Sequence, residues 1–142
     1  MKKRLLSLLC AVLLVVTLPL SAQASVSPRA SAYFSCTRVC AVALGSGKVM
    51  IEIDINATHK MLEVGASYVN ILREMDDGSY KVVYTYSKDT TPSLTEFNSY
   101  FGNVDVTYQG IPGERYCALV GCYARDSEGA ETLYFYTNVV TA

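Results

Sequence analysis

The alternation of apolar and polar side chains in one segment constrains the fold more than any other feature of the sequence. Within Lys48–Thr58, the apolar residues Val49, Ile51, Ile53 and Ile55 occupy every second position. Successive side chains of a β-strand point to opposite faces, so this spacing predicts a strand with one buried and one solvated face. Elsewhere, glycine and other turn residues separate segments with the same period of two, which predicts an all-β chain.

Seven strands are predicted after residue 31, and one long connection interrupts them. The strands are Ala32–Leu44, Lys48–Thr58, Ala66–Arg73, Ser79–Ser87, Asn103–Gln109, Glu114–Ala124 and Glu131–Val140. The connection, Lys88–Tyr100, is polar and contains Pro92, and the spacing of Ser93 and Glu96 predicts one capped helical turn within Leu94–Asn98. Short strands of this number, without an internal repeat, predict one antiparallel β-sandwich of about seven strands.

The amino terminus has the pattern of a cleavable secretory signal. A basic start at Met1–Arg4 precedes an apolar run over Leu5–Leu18, and the small residues of Ala22–Ala24 follow that run. The run is short for a membrane span, which favours cleavage over an uncleaved anchor. We therefore predict a signal peptide at 1–24, a short linker at 25–31 and a β-sandwich domain at 32–142 of a secreted, extracellular protein.

The charge balance excludes two classes of partner. Cleavage of the predicted signal would remove three of the 12 basic residues and none of the 13 acidic ones, which leaves a net charge of about −4. A mildly acidic domain with scattered cations has no basic patch for nucleic acid or for anionic lipid. We therefore expect no nucleic-acid partner and, since no second apolar run is long enough, no membrane partner after cleavage.

Four cysteines outside the predicted signal are interpreted as structural residues: Cys36, Cys40, Cys117 and Cys122. An even number of cysteines in an exported domain favours disulfides, whereas a zinc site would lack metal-site turns and has only His59 available. Because the first and sixth of seven alternating strands run antiparallel, we predict Cys36–Cys122 and Cys40–Cys117 bridges. The second bridge requires a bulge near Gly121, and free thiols in the core remain the alternative.

Ionisable residues do not form a recognisable catalytic or metal-binding motif. His59 has no partner that the sequence places near it, so we interpret it as a loop residue and expect no enzymatic activity. The acidic residues considered for glycoside hydrolysis or for calcium are Glu52, Asp54, Asp76, Asp77 and Asp89. Their spacing fits neither site, so we interpret them as solvated acids and expect no cofactor, with calcium at the last three as the open alternative.

The eleven tyrosines include two pairs in which the rings share one face of a strand. Tyr84 and Tyr86 form one pair, and Tyr134 and Tyr136 form the other. An exposed row of such rings would suit stacking on a sugar or contact with a protein. We favour the alternative that the row from Tyr80 to Tyr86 is buried, because its face is mostly apolar.

The segment Ile111–Gly129 resembles the E–F corner, F strand and F–G turn of fibronectin type III and related immunoglobulin-like domains. It contains a Pro-Gly turn followed by Tyr116, and Ala118, Val120 and Cys122 alternate behind that tyrosine. The resemblance implies that the Tyr116 ring enters the core while its hydroxyl bonds to the backbone of the corner. It thus implies an immunoglobulin-like sandwich in which Tyr116 is a structural anchor.

Over most of the predicted domain the chain resembles a family of small secreted proteins of unknown function from clostridia-like Gram-positive bacteria. The segments that carry this likeness are Arg29–Tyr33, Gly47–Val49, Leu62–Ala66, Val106–Gly110 and Val140–Ala142. The resemblance implies a fold and a compartment but no activity. We therefore expect a non-catalytic module that binds an extracellular protein or glycan, with a small secreted hydrolase as the alternative.

Overall fold

The computed structural model describes residues 31–142, which form an all-β antiparallel structure of seven strands. The predicted signal peptide at 1–24 and the linker up to residue 30 lie outside the described residues. The strands are β1 (Phe34–Gly45), β2 (Lys48–Glu74), β3 (Tyr80–Ser87), β4 (Thr95–Gln109), β5 (Arg115–Arg125), β6 (Ala130–Tyr136) and β7 (Val140–Thr141). In this part of the chain, no helix is long and apolar enough to cross a membrane.

Strand β2 is the centre of the sheet and extends over 27 residues. Strands β1 and β4 pair with its amino-terminal part, β3 and β5 pair with its carboxyl-terminal part, and β5 also carries β6 and β7. The predicted strands Lys48–Thr58 and Ala66–Arg73 are therefore one strand. All seven strands belong to one hydrogen-bonded sheet that curls into a half-barrel, instead of the two separate sheets expected for an immunoglobulin-like sandwich.

A close approach of two glycines accompanies the curl of β2. At Gly65 the backbone has φ +151°, and a Cβ atom there would overlap the carbonyl oxygen of Leu94. A Cβ atom at Gly102 of β4 would lie 2.9 Å from the Gly65 Cα atom. The two backbones thus occupy space that any other residue would fill, and only glycine adopts this φ without strain.

The core lies inside the curl and is built from both parts of β2 and from β5. Alternate residues of these strands have no exposed surface: Val49, Ile51, Ile53, Ile55, Val69, Ile71, Ala118, Val120 and Cys122. The period of two in the sequence therefore predicts correctly which residues of Lys48–Thr58 are buried. Because one strand contributes to both walls, the core is continuous across the bend.

The segment between β3 and β4 differs from the predicted long connection over Lys88–Tyr100. A 3₁₀ turn covers Pro92–Leu94, and β4 begins at Thr95, so the predicted helical turn over Leu94–Asn98 is wrong. The connection is thus confined to Lys88–Leu94, and from Thr95 onward the polar composition reflects an exposed strand, because β4 has β2 on one side and mostly exposed side chains.

The predicted disulfides are absent, and all four cysteines are free thiols. Cys36 and Cys40 lie opposite Asn56 and Glu52 in the first part of β2, whereas Cys117 and Cys122 lie opposite Leu72 and Ala66 in the second part. The prediction required β1 to run alongside β5, but each of these strands pairs with a different part of β2. The bulge also lies elsewhere: the register shift is between Ala66 and Tyr68 on β2, not at Gly121 of β5.

Candidate functional site

The outer side of the sheet carries a group of tyrosines that the fold leaves exposed or half-buried. Its members, which we call the tyrosine face, are Tyr68 of β2, Tyr80 of β3, Tyr123 of β5, and Tyr134 and Tyr136 of β6. Tyr134 and Tyr136 are 62% and 70% exposed, and Tyr80 is 46% exposed. Contiguous exposed apolar surface of this kind marks interaction sites on soluble proteins.

The register of β6 explains why its two tyrosines face outward. Tyr134 lies opposite Gly121 and Tyr136 lies opposite Leu119, while the intervening Phe135 packs against the core. Both faces of β6 are aromatic, so the sequence gives little indication of which one is buried. The pairing with β5 decides it, because Phe135 lies opposite the buried Val120, whereas Tyr134 lies opposite the outward-facing Gly121.

Gly121 gives the tyrosine face its shape. A Cβ atom at this position would lie 3.1 Å from the ring of Tyr68 and 2.6 Å from the Ser67 hydroxyl oxygen. The missing side chain therefore leaves a depression that the Tyr68 ring covers, and this ring stacks on Tyr134 with centroids 6.1 Å apart. Sequence reasoning missed Tyr68 and Gly121, since the contact depends on a long-range register.

An open cleft of about 460 Å³ lies at one end of the tyrosine face. Leu72 and Cys117, both largely buried, form its floor, and Tyr80 and Tyr136 stand on its sides. Both the Tyr80 and the Tyr68 hydroxyls are neutral near pH 7, as tyrosines ordinarily are, and burial raises the pKa of each further. Neutral phenols beside apolar walls can stack on a ligand and also exchange hydrogen bonds with it.

Charged groups border the tyrosine face at the end opposite the cleft. Glu63 of β2 is 6% exposed, and its carboxylate contacts Lys88 at 3.1 Å and Arg125 at 3.4 Å. The Lys88 ammonium also lies 4.2 Å from the centroid of the Tyr123 ring. This cluster neutralises a buried acid and fixes the end of the aromatic surface.

A second group of tyrosines lies where β3, β4 and β5 meet. Tyr84 packs against Tyr86 and Tyr108, and the Tyr86 hydroxyl donates to the Thr107 carbonyl oxygen at 2.8 Å. The expectation of a buried β3 row is wrong, since Tyr80, Val82 and Tyr84 are each almost half exposed. Strand β3 is an edge strand, so nothing in the described structure covers these side chains completely.

Tyr116 lies beside this second group and is 1% exposed. The backbone N–H of Ile111 donates to its hydroxyl oxygen at 3.0 Å, across the Pro-Gly turn. Gly110 leaves room for the ring, because a Cβ atom there would lie 2.8 Å from it. The residue thus joins the corner backbone to the core.

His59 has a partner that sequence reasoning missed. Its Nε2 atom lies 2.9 Å from the Asp126 carboxylate, and its Nδ1 atom lies 3.0 Å from the Thr58 hydroxyl. The hydrogen bond from His59 lowers the pKa of Asp126. The pair borders an open groove of about 450 Å³. The Thr58 hydroxyl donates its proton to the Ala32 carbonyl, so it does not donate a hydrogen bond to the His59 imidazole.

The other acidic residues considered from the sequence remain apart from this pair. Asp54 binds Arg38 at 2.6 Å, and Glu52 accepts from the Cys40 thiol at 3.1 Å. Asp77 accepts from Ser79 within a turn, and this bond lowers the pKa of Asp77. Among residues 31–142, no group of three or more histidine, cysteine or acidic side chains is arranged to hold a metal ion.

No protein-family model matches the chain, and no curated protein is significantly similar to it.

Proposed function

We propose that the protein is an exported, non-catalytic module that binds an extracellular protein or glycan through the tyrosine face. The observation that supports this function is the exposure of Tyr134 and Tyr136 beside a cleft whose floor is apolar. Tyrosine is enriched in binding surfaces because its ring buries a large area and loses little conformational entropy. The charged cluster at Glu63 limits this surface at one end and would orient an elongated ligand.

Replacing both exposed tyrosines should abolish binding without unfolding the domain. We expect the double variant Tyr134→Ser, Tyr136→Ser to lose about a thousandfold in affinity, because contacts with central aromatic residues each contribute about 2 kcal/mol or more. Binding is measured by titration with cell-envelope and mucus fractions, and stability by urea unfolding. Since both side chains are exposed, the free energy of unfolding should change by only about 0.5 kcal/mol.

Tyr100→Ser is the matched control, because Tyr100 is 51% exposed on β4, away from the tyrosine face. Protease treatment of the captured fraction should abolish binding to a protein, and periodate oxidation should abolish binding to a glycan. Equal affinity of the double variant, the control and the parent would contradict this role of the tyrosine face.

We further propose that residues 1–24 direct export and that the chain belongs to the small secreted family it resembles. We also propose that the two halves of the curled sheet correspond to the two layers of an immunoglobulin-like sandwich, with Tyr116 at the corner between them.

The proposed export predicts that the extracellular protein begins at or near Ser25, which amino-terminal sequencing measures. Extracellular material that retained Met1 would contradict cleavage.

A small secreted hydrolase is the second candidate, and the His59–Asp126 pair is the observation that favours it. A carboxylate-oriented histidine beside a groove is one part of a hydrolytic site, but an activated nucleophile is also required. Hydrolysis of chromogenic esters or glycosides that His59→Ala abolished would favour the hydrolase over the binding module.

A further inference from the structure

Among residues 31–142, the outer edge of β1 lacks a partner strand over a short stretch. Within the described part of the chain, β1 pairs with β2 alone. At Ala41 the backbone N–H donates to the Asn138 side-chain oxygen at 2.9 Å, and the Asn138 amide donates to the Ala41 carbonyl at 3.0 Å. The polar groups of Ala41 therefore point away from β2, and the Asn138 side chain covers the edge there.

The direction in which the N–H and C=O groups of Ala41 point also sets the direction of these groups in neighbouring residues, because they point alternately to the two edges along a strand. Thr37 and Val39 have the parity of Ala41, so their N–H and C=O groups point to the free edge. Cys36 and Cys40 have the opposite parity, so their backbones pair with β2. Asn138 reaches only Ala41, which leaves the edge at Thr37 and Val39 open to another strand.

Cys36 and Cys40 present their thiols on the outer face of β1, on either side of Arg38. Cys36 is exposed, and Cys40 is partly covered by Glu52. Four residues of extended strand separate their Cα atoms by about 13 Å, whereas bridged Cα atoms lie within about 7 Å. The two thiols therefore cannot bridge within one chain.

We propose that a second copy of this chain pairs antiparallel with the free edge of β1, centred on Arg38, and that two disulfides join Cys36 of each copy to Cys40 of the other. In this register Thr37 faces the second copy's Val39, and these residues exchange the hydrogen bonds. Cys36 and Cys40 then form non-hydrogen-bonded pairs, whose Cα atoms lie about 4.5 Å apart, within the range of disulfides.

The charges at the centre of the proposed interface are compatible with this register. The two copies of Arg38 face each other, but each guanidinium is already bound to Asp54 by two hydrogen bonds of 2.9 and 2.6 Å. These bonds draw the side chain across β2 and away from the free edge. Centring on Cys40 would place the central hydrogen bonds at Ala41, which Asn138 occupies, whereas centring on Arg38 uses only the groups of Thr37 and Val39, and the second copy's chain leaves the ladder at Ser35, before Asn138.

The oxidation requires a disulfide reagent as its two-electron oxidant, and oxidised glutathione is sufficient. The Cys36 thiolate attacks that disulfide, which forms a mixed disulfide and releases one glutathione thiol. Cys40 of the other copy then loses its proton and attacks the Cys36 sulfur, which releases the second glutathione thiol. The hydrogen bond to Glu52 raises the pKa of Cys40, so the second step should quicken at alkaline pH.

The two cysteines of β5 should stay outside this reaction. Burial raises the pKa of Cys122 to about 12 and also raises that of Cys117, so few of either are thiolates. Both are buried, and neither lies on a free edge.

The test oxidises the full-length chain, carrying Cys10→Ser, with oxidised glutathione at pH 8.5. We expect a covalent dimer that dithiothreitol dissociates, in which tryptic peptide 30–38 is linked to peptide 39–48. Cys36→Ser and Cys40→Ser should each give no dimer alone, because every bridge needs one residue of each kind. Mixed together, these two variants should form a dimer with one bridge, and Cys117→Ser should dimerise like the parent.

Val39→Pro examines the strand pairing separately from the thiols. Proline removes an N–H that points away from β2, so β1 stays in the sheet while the dimer loses ladder hydrogen bonds. We expect about tenfold slower cross-linking, with a melting temperature that falls, because Val39 packs against the core, but stays well above the temperature of the assay. A dimer from Cys40→Ser alone, no dimer from the mixed variants, loss of dimer in Cys117→Ser, or an unaffected rate in Val39→Pro would each overturn the proposal.

Discussion

Gly65→Ala is expected to destabilise the domain by about 4 kcal/mol or more, which is a large part of the stability of an ordinary domain. The added Cβ atom would overlap the Leu94 carbonyl oxygen and lie 2.7 Å from the Thr95 Cα atom. These are backbone atoms, so no side chain can rotate to make room. Alanine would also have to adopt φ +151°, which adds strain.

Gly78→Ala separates the effect of the close approach from that of the backbone conformation. Gly78 has φ +78°, but a Cβ atom there would meet nothing within 4 Å. This variant should therefore cost only about 1 kcal/mol, through backbone strain alone. Urea unfolding measures both variants, and Gly102→Ala provides a second test of the contact if Gly65→Ala does not fold. Equal costs at positions 65 and 78 would show that the contact between β2 and β4 is looser than described.

Glu63→Gln is expected to destabilise the domain by about 2 kcal/mol, because two cations would lose their shared anion. Breaking a fully buried ion pair costs about 3 to 5 kcal/mol, but here the side chains of Lys88 and Arg125 are 28% and 46% exposed. Water can therefore solvate both cations in part, which reduces the cost. The change is measured by urea unfolding at low and high salt.

Glu74→Gln is the matched control on the same strand. Glu74 pairs with Arg115 at 2.9 Å, and the side chain of that arginine is 55% exposed. An exposed pair of this kind contributes less than about 1 kcal/mol, and salt screens it. The Glu63 effect should persist in 0.5 M NaCl, whereas the Glu74 effect should disappear. Two variants that unfold alike at both salt concentrations would contradict a special role for Glu63.

The sequence predicted the strand content because burial in the first part of β2, over Val49–Ile55, follows a period of two. It did not predict that β2 continues through His59 and Lys60, since polar residues there resemble a turn. In the structure both side chains lie on the surface while the backbone stays extended. Local pattern alone could not distinguish these cases, because it is the pairing of the flanking residues Asn56 and Met61 with the distant strand β4 that keeps the chain in the sheet across this interruption of the register.

The candidate site was predictable only in part. The spacing of Tyr134 and Tyr136 placed both rings on one face, but exposure depended on how β6 is registered against β5. The disulfide prediction failed for the same physical reason: Cys36 and Cys122 are separated by strand partners that no local signal specifies. The contact between His59 and Asp126 could not be predicted either, because 67 residues of the chain separate them.

The central position of β2 has a consequence for how the domain unfolds. Four of the other six strands pair directly with β2. The segment Glu63–Gly65 of β2 pairs with β4 on one side and with β5 on the other. Neither half of the sheet can then separate while the other keeps its ladder intact. We expect the amides of Ile53 and Val69 to exchange with solvent only through global opening, with the same free energy of opening and one shared dependence on denaturant.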